Sequence, residues 1–241
     1  MPRHWFGGIV FAATGKALVR PVPYEHDQDR LVKFLRDRGI VAVIDVGANK
    51  GQFARELRRR GYGGKIVSFE PLPEAHAALV DNARGDGGWT VAEACALGAA
   101  ETTARMGVSE NSVSSSLLPI LERTIAAAPK ARFVAHLDVP LRRLDDVLPR
   151  HVAADAGPLA LKIDAQGYEG EVLKGAAHSL ARIALIHCEA SLVPLYRGAP
   201  RFADLFAMIE AAGYRCISLA PAFIDPASFE VLQVDFTFAR D

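Results

Sequence analysis

A chain of 241 residues can bury one substantial hydrophobic core, so its length predicts one domain that carries insertions. Half of the residues are hydrophobic and 28 basic residues balance 28 acidic ones, which disfavours a disordered chain and a nucleic acid partner. The three cysteines (Cys95, Cys188 and Cys216) are odd in number and lack metal-ligand spacing, which is typical of reduced thiols in a cytosolic protein.

Residues 1–40 are predicted to form a helical lead-in to a main domain over residues 41–241. Arg3 and His4 precede an apolar stretch from Trp5 to Val19 that faintly resembles a signal peptide. Glycines and a lysine interrupt this stretch, and it is shorter than the roughly 20 residues that a membrane-spanning helix needs. We therefore expect either a packed helix or an amphipathic helix that touches the inner face of a membrane in a cytoplasmic protein.

Strands and helices alternate through the first half of the main domain. Apolar residues at helical spacing, β-branched runs and glycine stops predict helices at 27–38, 52–60 and 73–83, and strands at 41–49, 65–71 and within 89–98. Alternating strands and helices joined by short turns are typical of a parallel sheet with helices on both faces. The sequence thus predicts a Rossmann-like α/β fold.

The alternation breaks between Glu101 and Pro149, where polar, turn-forming segments separate short apolar runs. We interpret residues 101–149 as an insertion over the rim of an active site. Regular spacing then predicts strands at 158–164 and 184–191, helices at 167–176 and 202–214, and two final strands at 214–219 and 229–240.

The most informative segment is VIDVGANKGQF, residues 43–53, at the carboxyl end of a predicted strand. Gly47 and Gly51 would let the backbone turn tightly and approach a ligand, while Asp45 would bind a cationic ligand amino group. A dinucleotide site would need a different glycine spacing, and an acid here would repel phosphates. The alternative is a plain glycine turn that only joins a strand to a helix.

Glu70 ends the second strand, 23 residues beyond Gly47. Nucleoside-binding folds place an acid near this position to accept hydrogen bonds from two ribose hydroxyls. An acid before Pro71 could instead be a surface or helix-capping residue. Together, the glycine turn and this acid favour a nucleoside ligand.

Several motifs together resemble the FkbM family of methyltransferases. They are VIDVGANKGQF, FEP at 69–71, ALG at 96–98, SSSL at 114–117, LDD at 144–146 and LKIDAQGYEGEVLKGA at 161–176. The resemblance implies a class I methyltransferase fold with a mostly parallel seven-stranded sheet whose final strand is reversed. It also implies S-adenosylmethionine as methyl donor and O-methylation of sugars or polyketide-type products. One position departs from the family pattern, because Gln166 replaces the usual Glu.

The resemblance further implies a set of donor-binding residues. The methionine portion would contact Asp45, Gly47, Asn49, Gly51, Gln52 and Phe53, and the ribose would contact Glu70. Pro71 and Leu72 would flank the adenine, Ala96 and Leu97 would cover its other side, and Asp164 would face the donor sulfonium or the acceptor.

Methyl transfer to an alcohol needs an aligned hydroxyl and a group that takes its proton. Asp164, Glu189 and His187, in that order, are the candidate bases, because all three fall at the ends of predicted strands. His187 could equally be a core histidine, and Glu189 could be a structural acid.

Other polar residues have two interpretations each. Glu169 could bind the acceptor or cap a helix, and His136, Asp138 and the serines at 114–116 could reach the acceptor or lie on a polar surface. Asp145 and Asp146 could cap a helix or bind a metal, and we expect no obligatory metal.

The leading hypothesis is an enzyme that methylates a sugar hydroxyl of a small molecule or of a lipid-linked sugar, in a glycolipid or a secondary metabolite. A non-sugar alcohol or a carboxylate is the alternative acceptor. A donor-binding protein without catalysis and an NAD-linked reductase are the alternatives from other classes.

Overall fold

The computed structural model describes residues 27–240, so the predicted helix between Trp5 and Val19 lies outside the described residues. The α-helices described are α1 (Asp27–Asp37), α2 (Gln52–Arg59), α3 (Pro73–Ala83), α4 (Glu122–Ala127), α5 (Leu144–Val147), α6 (Glu169–Gly175) and α7 (Phe202–Ala211). The strands are β1 (Ala42–Val46), β2 (Lys65–Phe69), β3 (Trp89–Val91), β4 (Ala96–Leu97), β5 (Thr102–Ser109), β6 (Phe133–Arg142), β7 (Leu159–Ile163), β8 (Ile183–Ser191), β9 (Arg215–Ile224) and β10 (Val231–Ala239). Within residues 27–240, no helix combines the length and the apolar character needed to cross a bilayer.

Seven of these strands form one sheet in the order β3-β2-β1-β7-β8-β10-β9. The first five strands of this order run parallel, and β10 runs antiparallel to both of its neighbours. The predicted α/β class and the mostly parallel seven-stranded sheet are therefore confirmed, including the reversed last strand.

The sheet is buried on both faces, which explains the near-continuous apolar runs of its central strands β1 and β7. On one face the apolar stripe of α1, which includes Leu31 and Leu35, packs with Leu57 of α2 and Leu79 of α3. On the other face the larger cluster gathers residues from α5 to α7, among them Leu144, and from the final strands. The charged exceptions inside this core belong to the site described below.

The region from residue 96 to residue 142 differs from the sequence expectation. Instead of one strand within 89–98, the chain forms β3 in the main sheet and β4 in a second sheet of order β4-β6-β5. The predicted insertion is therefore largely a long antiparallel hairpin of β5 and β6. One side of it packs Met106, Val139 and Leu141 against Leu72, while much of β6 stays exposed. This half-exposed pattern explains why the sequence suggested turns.

The turn between β1 and α2 is fixed by two glycines with left-handed backbone, Gly47 at φ 72° and Gly51 at φ 81°. A Cβ on Gly47 would lie 1.9 Å from the carbonyl oxygen of Asp164, and one on Gly51 would lie 2.6 Å from the ring of Trp89. Both glycines therefore permit close packing within the protein. The expected tight turn is present, and the expected approach of a ligand to these glycines stays a prediction.

Gly47→Ala should destabilise the fold by about 3 kcal/mol or more, because left-handed backbone strain adds to a clash with the Asp164 carbonyl. The matched control is Gly85→Ala, which has a similar φ of 89° but no atom within 4 Å of the added Cβ, so it should lose only about 1–2 kcal/mol. Urea denaturation measures both free energies of unfolding. Equal losses would show that packing against the end of β7 is unimportant.

Candidate functional site

A cavity of about 460 Å³ opens at the carboxyl ends of β1, β2 and β7, where open α/β sheets bind ligands. The segments after these three strands form its floor, and the second sheet with the loop after β5 forms its opposite wall. The predicted donor-site and catalytic residues that line it are Gly47, Asn49, Gln52, Phe53, Glu70, Pro71, Leu72, Ala96, Leu97, Asp164, His187 and Glu189. Asp45 and Gly51 do not line it.

Asp45 lies fully buried behind the cavity wall. One carboxylate oxygen accepts a hydrogen bond from the Ser68 hydroxyl at 3.1 Å, and the other lies 3.1 Å from the Lys162 ammonium. The predicted direct contact between Asp45 and a ligand amino group is therefore replaced by an internal ion pair. The physical reason is that β7 places a lysine directly beside this position of β1.

Lys162 is the functional residue of β7 that the sequence analysis missed. Its ammonium donates to the carbonyls of Val46 and Gly47, lies 3.7 Å from Asp164 and faces the ring of Phe53. Burial by itself would lower the pKa of Lys162, but the charges of Asp45 and Asp164 outweigh it and raise that pKa. Lys162 therefore stays charged at the cavity floor. The sequence signal that could have identified this residue is a lysine within the otherwise apolar strand LALKI.

Glu70 is held in a fixed orientation at the end of β2. Its two carboxylate oxygens accept the backbone N–H groups of Asn49 at 2.8 Å and Leu72 at 2.9 Å. Burial raises the pKa of Glu70, and these two N–H donors oppose that rise. Each carboxylate oxygen retains a second lone pair, so the residue can still accept two hydroxyl hydrogens from a ribose.

Asn49 connects the glycine turn to the insertion. Its side-chain amide donates to the hydroxyl of Ser112 at 3.0 Å, while its carbonyl oxygen accepts from the Lys50 backbone and from Gln52. Ser112 lines the cavity and was not predicted. The loop after β5 is thereby fastened over the donor end of the cavity.

The apolar part of the cavity lies next to Glu70. Pro71 and Leu72 follow it directly, and Ala96 and Leu97 of β4 complete the slot, together with Cys95 and Met106. Burial raises the pKa of the Cys95 thiol to about 12, so it acts there as an unreactive packing group. A narrow apolar slot beside a carboxylate fits an adenosine.

Carboxylates and amides form the opposite end of the cavity. The side-chain amide of Gln166 donates to Asp164 at 2.7 Å and to Glu189 at 2.9 Å, and its carbonyl oxygen accepts from the Tyr196 hydroxyl at 2.8 Å. This donor and acceptor arrangement fixes the amide orientation, since a flipped amide would put its oxygen against two acids. Gln233 donates a further hydrogen bond to Glu189 at 2.7 Å.

The pKa values of Glu189 and His187 at this end are shifted in opposite directions. Burial, followed by the charges of Asp164 and Asp235, raises the pKa of Glu189 well above its ordinary value. Burial and then the charge of Lys162 lower the pKa of His187 to about 4, so this histidine is neutral at pH 7. Asp164 instead lies 3.7 Å from the Lys162 ammonium. Asp235, on β10, was missed because its strand reads as a core strand.

The remaining sequence candidates have structural roles. Glu169 accepts the backbone N–H groups of Ala165 and Gly167 and so caps the turn before α6, while Asp145 accepts from Ser179. His136 and Asp138 are exposed on β6, away from the cavity.

The serines at 114–116 hydrogen-bond within the protein, to Asn111, Ser109 and Gln166. Among residues 27–240, no group of three or more His, Cys, Asp or Glu side chains is arranged to hold a metal.

Residues 45–216 match the family model described as the methyltransferase FkbM domain. The chain belongs to the FkbM methyltransferase family. The predicted resemblance to this family is thus confirmed. The match covers the glycine turn, Glu70, the insertion and the Asp164 turn.

A similar curated protein is the methyltransferase sdnD of Sordaria araneosa, 31% identical over 154 residues that cover 55% of this chain and 59% of that protein. A similar solved structure is magnesium protoporphyrin IX methyltransferase (ChlM) from Synechocystis PCC 6803 with bound SAM, at 10% identity and a TM-score of 0.48, covering 97% of this chain and 94% of that one. Another is an rRNA methylase from Streptococcus thermophilus, at 8% identity and a TM-score of 0.47, covering 91% and 99%.

The cavity residues of this FkbM methyltransferase fit S-adenosylmethionine. Glu70 would hold the ribose and the slot around Leu72 and Leu97 the adenine, which leaves the methionine portion for the segment from Gly47 to Phe53. The carboxylate-rich end would then lie nearest the sulfonium, whose positive charge suits it.

Glu70→Gln should weaken donor binding about 10- to 100-fold, because hydrogen bonds to a charged acceptor are lost. Titration calorimetry with S-adenosylhomocysteine measures the dissociation constant. Glu101→Gln is the control, since Glu101 is exposed and lies outside the cavity, and its affinity should be unchanged. Unchanged affinity of Glu70→Gln would remove the ribose assignment.

Lys162→Met should cost about 3–5 kcal/mol of unfolding free energy, because Asp45 would be left buried without its partner. The double variant Lys162→Met with Asp45→Leu should recover part of this loss, whereas Lys174→Met, in an exposed pair, should cost only about 0–1 kcal/mol. Chemical denaturation of wild-type protein, the single variants Lys162→Met and Asp45→Leu, their double variant and the Lys174→Met control tests the pair. Strictly additive effects at Lys162 and Asp45 would contradict it.

Proposed function

We propose that this FkbM methyltransferase transfers the methyl group to a hydroxyl oxygen of a sugar, in a glycolipid or a secondary metabolite. The observation that carries the proposal is the exposure of Asp164 and its position beside Lys162. Its side chain is 38% exposed at the end of β7, it faces the cavity, and the Lys162 ammonium lies 3.7 Å away. An accessible carboxylate at the cavity wall, with an ammonium beside it, is suited to take the proton of an alcohol.

When bound, S-adenosylmethionine supplies an electrophilic methyl carbon. Asp164 would accept a hydrogen bond from the acceptor hydroxyl and orient its oxygen toward that carbon. As the new carbon–oxygen bond forms and the carbon–sulfur bond breaks, the sulfur keeps the bonding electron pair and Asp164 takes the hydroxyl proton. Lys162 would stabilise Asp164 before the transfer, and Gln166 would hold its second oxygen.

Glu189 and His187 suit this role less well. Burial and the charges of Asp164 and Asp235 raise the pKa of Glu189 well above its ordinary value, and the amides of Gln166 and Gln233 already donate to its carboxylate. The lowered pKa of His187 makes it a weak base, and its Nδ1 is engaged with Thr237. Both residues are better suited to contacting the acceptor than to deprotonating it.

The acidic side chains at the acceptor end also help to choose among the alternative acceptors. Acidic side chains at the acceptor end would repel a carboxylate, which favours an alcohol as acceptor. A polar end with several hydrogen-bonding groups favours a sugar over a non-sugar alcohol, which stays as the alternative. The family departure at Gln166 does not argue for an inactive donor-binding protein, because its amide supports Asp164 at 2.7 Å.

Lipid extracts from cells with and without the gene test the proposed function. The extract from cells that contain it should hold a glycolipid heavier by one methylene unit, and purified protein should transfer labelled methyl groups from the donor to the extract that lacks it. Donor binding without transfer to any hydroxyl acceptor would overturn the proposal in favour of a binding protein.

In the labelled-methyl assay, Asp164→Asn should lower kcat about 100- to 1000-fold, because the group that accepts the proton is lost. Its dissociation constant for S-adenosylhomocysteine should stay within about threefold, since Asn keeps the shape of the side chain. Asp155→Asn, an exposed position, serves as the control with unchanged kcat. A large loss of donor affinity with little change in kcat would assign Asp164 to donor binding instead.

A further inference from the structure

We propose that Asp235 and His187 form an acceptor subsite, and that the acceptor therefore carries a second hydrogen-bond donor next to the hydroxyl that is methylated, as in a vicinal diol. This inference rests on the proposed function and makes its substrate class more specific.

The two residues lie on adjacent strands at the acceptor end of the cavity. In the antiparallel pairing of β8 with β10, Asp235 is opposite Glu189 and Thr237 is opposite His187. Residues paired in this way, and those two positions along, project from the same face of a sheet. Asp235 and His187 are thus diagonal neighbours, and both line the cavity.

His187 leaves one ring nitrogen for a ligand. The ring is only 8% exposed, it stacks on Phe53 with 5.9 Å between centroids, and Nδ1 hydrogen-bonds the Thr237 hydroxyl at 3.0 Å. Its Nε2 has no hydrogen-bond partner within residues 27–240. Because His187 lines the cavity, this nitrogen is available to a hydrogen-bonding group of a ligand.

Asp235 and its neighbour Glu189 differ in the hydrogen bonds that their carboxylates receive. Glu189 accepts hydrogen bonds from both Gln166 and Gln233. The carboxylate of Asp235, in contrast, receives no donor from the described part of the chain, although the residue is half-buried beside the cavity. The protein therefore satisfies one acid of the pair and leaves the other free to accept from a ligand.

The charge of Asp235 decides what it accepts. The groups that face it are Glu189 and His187 on β8, and Lys162 and Asp164 on or after β7. Burial, then the charge of Asp164, raises the pKa of Asp235 to about 6, which Lys162 partly opposes. Asp235 is therefore mostly ionised above pH 6 and accepts hydroxyl or ammonium hydrogens, but repels anions.

Asp235 and Asp164 line the same cavity, so one acceptor molecule can contact both carboxylates. The two carboxylates line one cavity and are near enough for their charges to interact. We infer that, when the reacting hydroxyl of an acceptor meets Asp164, a substituent on an adjacent carbon contacts Asp235 and His187, which line the same cavity. Hydroxyls on neighbouring ring carbons of a sugar have this arrangement.

The experiment compares Asp235→Asn, His187→Phe and the exposed control Asp138→Asn in the labelled-methyl assay. The probes are methyl pyranosides and the glycolipid fraction that accepts label. Each methyl pyranoside is compared with a deoxy analogue that lacks the hydroxyl next to the methylated one. Asp235→Asn should raise the acceptor KM about 10- to 100-fold with kcat within about threefold and donor affinity within about twofold. With wild-type protein, the deoxy analogues should show a KM raised by a similar factor.

A pH series adds a readout that a purely structural role would not move. As the pH falls from 7 to 5, Asp235 becomes protonated, so the wild-type acceptor KM should rise, whereas Asp235→Asn should lack this rise. His187→Phe keeps the stacking on Phe53 and removes the nitrogens, so it should raise KM but keep the pH dependence. Donor affinity and melting temperature identify any variant that has merely unfolded.

Two outcomes separate this inference from the proposed function. If wild-type protein methylates an alcohol but Asp235→Asn and His187→Phe leave the acceptor KM and its pH dependence unchanged, the subsite is wrong and the proposed function stands. If wild-type protein binds the donor but methylates no alcohol in either set of probes, the proposed function fails and the subsite fails with it.

Discussion

The organisation of the site depends on one buried ammonium, that of Lys162. It pairs with Asp45, donates to the carbonyls that form the β1 turn, and lies 3.7 Å from Asp164. A buried charge without a partner is costly, so these groups hold one another in place. The same ion pair joins the strand that carries the glycine motif to the strand that carries the proposed base. Donor site and acceptor site are thereby fixed relative to each other.

Around this ammonium the acids divide into groups with different tasks. Glu70 is enclosed by backbone donors and suits ribose, Asp164 is accessible and beside a cation, and Glu189 is bonded to two amides. Gln166 separates Asp164 from Glu189 with a neutral amide. A third carboxylate in its place would lie within about 3 Å of the two others, and the three groups would have to share protons. The left-handed backbone of Gln166, at φ 51°, directs the side chain into this network.

The insertion completes the cavity through hydrogen bonds that span long stretches of chain. Ser112 holds Asn49 of the glycine turn, and Ser116 donates to the backbone of Gln166. The apolar side of β5 and β6 meanwhile covers Leu72, which lies two residues after Glu70. The loop that differs from a plain Rossmann-like repeat therefore contacts both the donor end and the acceptor end, where substrate selection is commonly located.

Hydrophobic periodicity and glycine turns are local signals, so they sufficed to predict the α/β class and the order of the elements outside residues 96–142. The sequence also identified Glu70 and Asp164, which end strands whose carboxyl ends must meet at one edge. The three-dimensional arrangement was needed to show that Asp45 pairs with Lys162 and that Asp235 lines the cavity. Those outcomes depend on which strands are neighbours and on their register, and partners more than a hundred residues apart leave no local pattern in a single sequence.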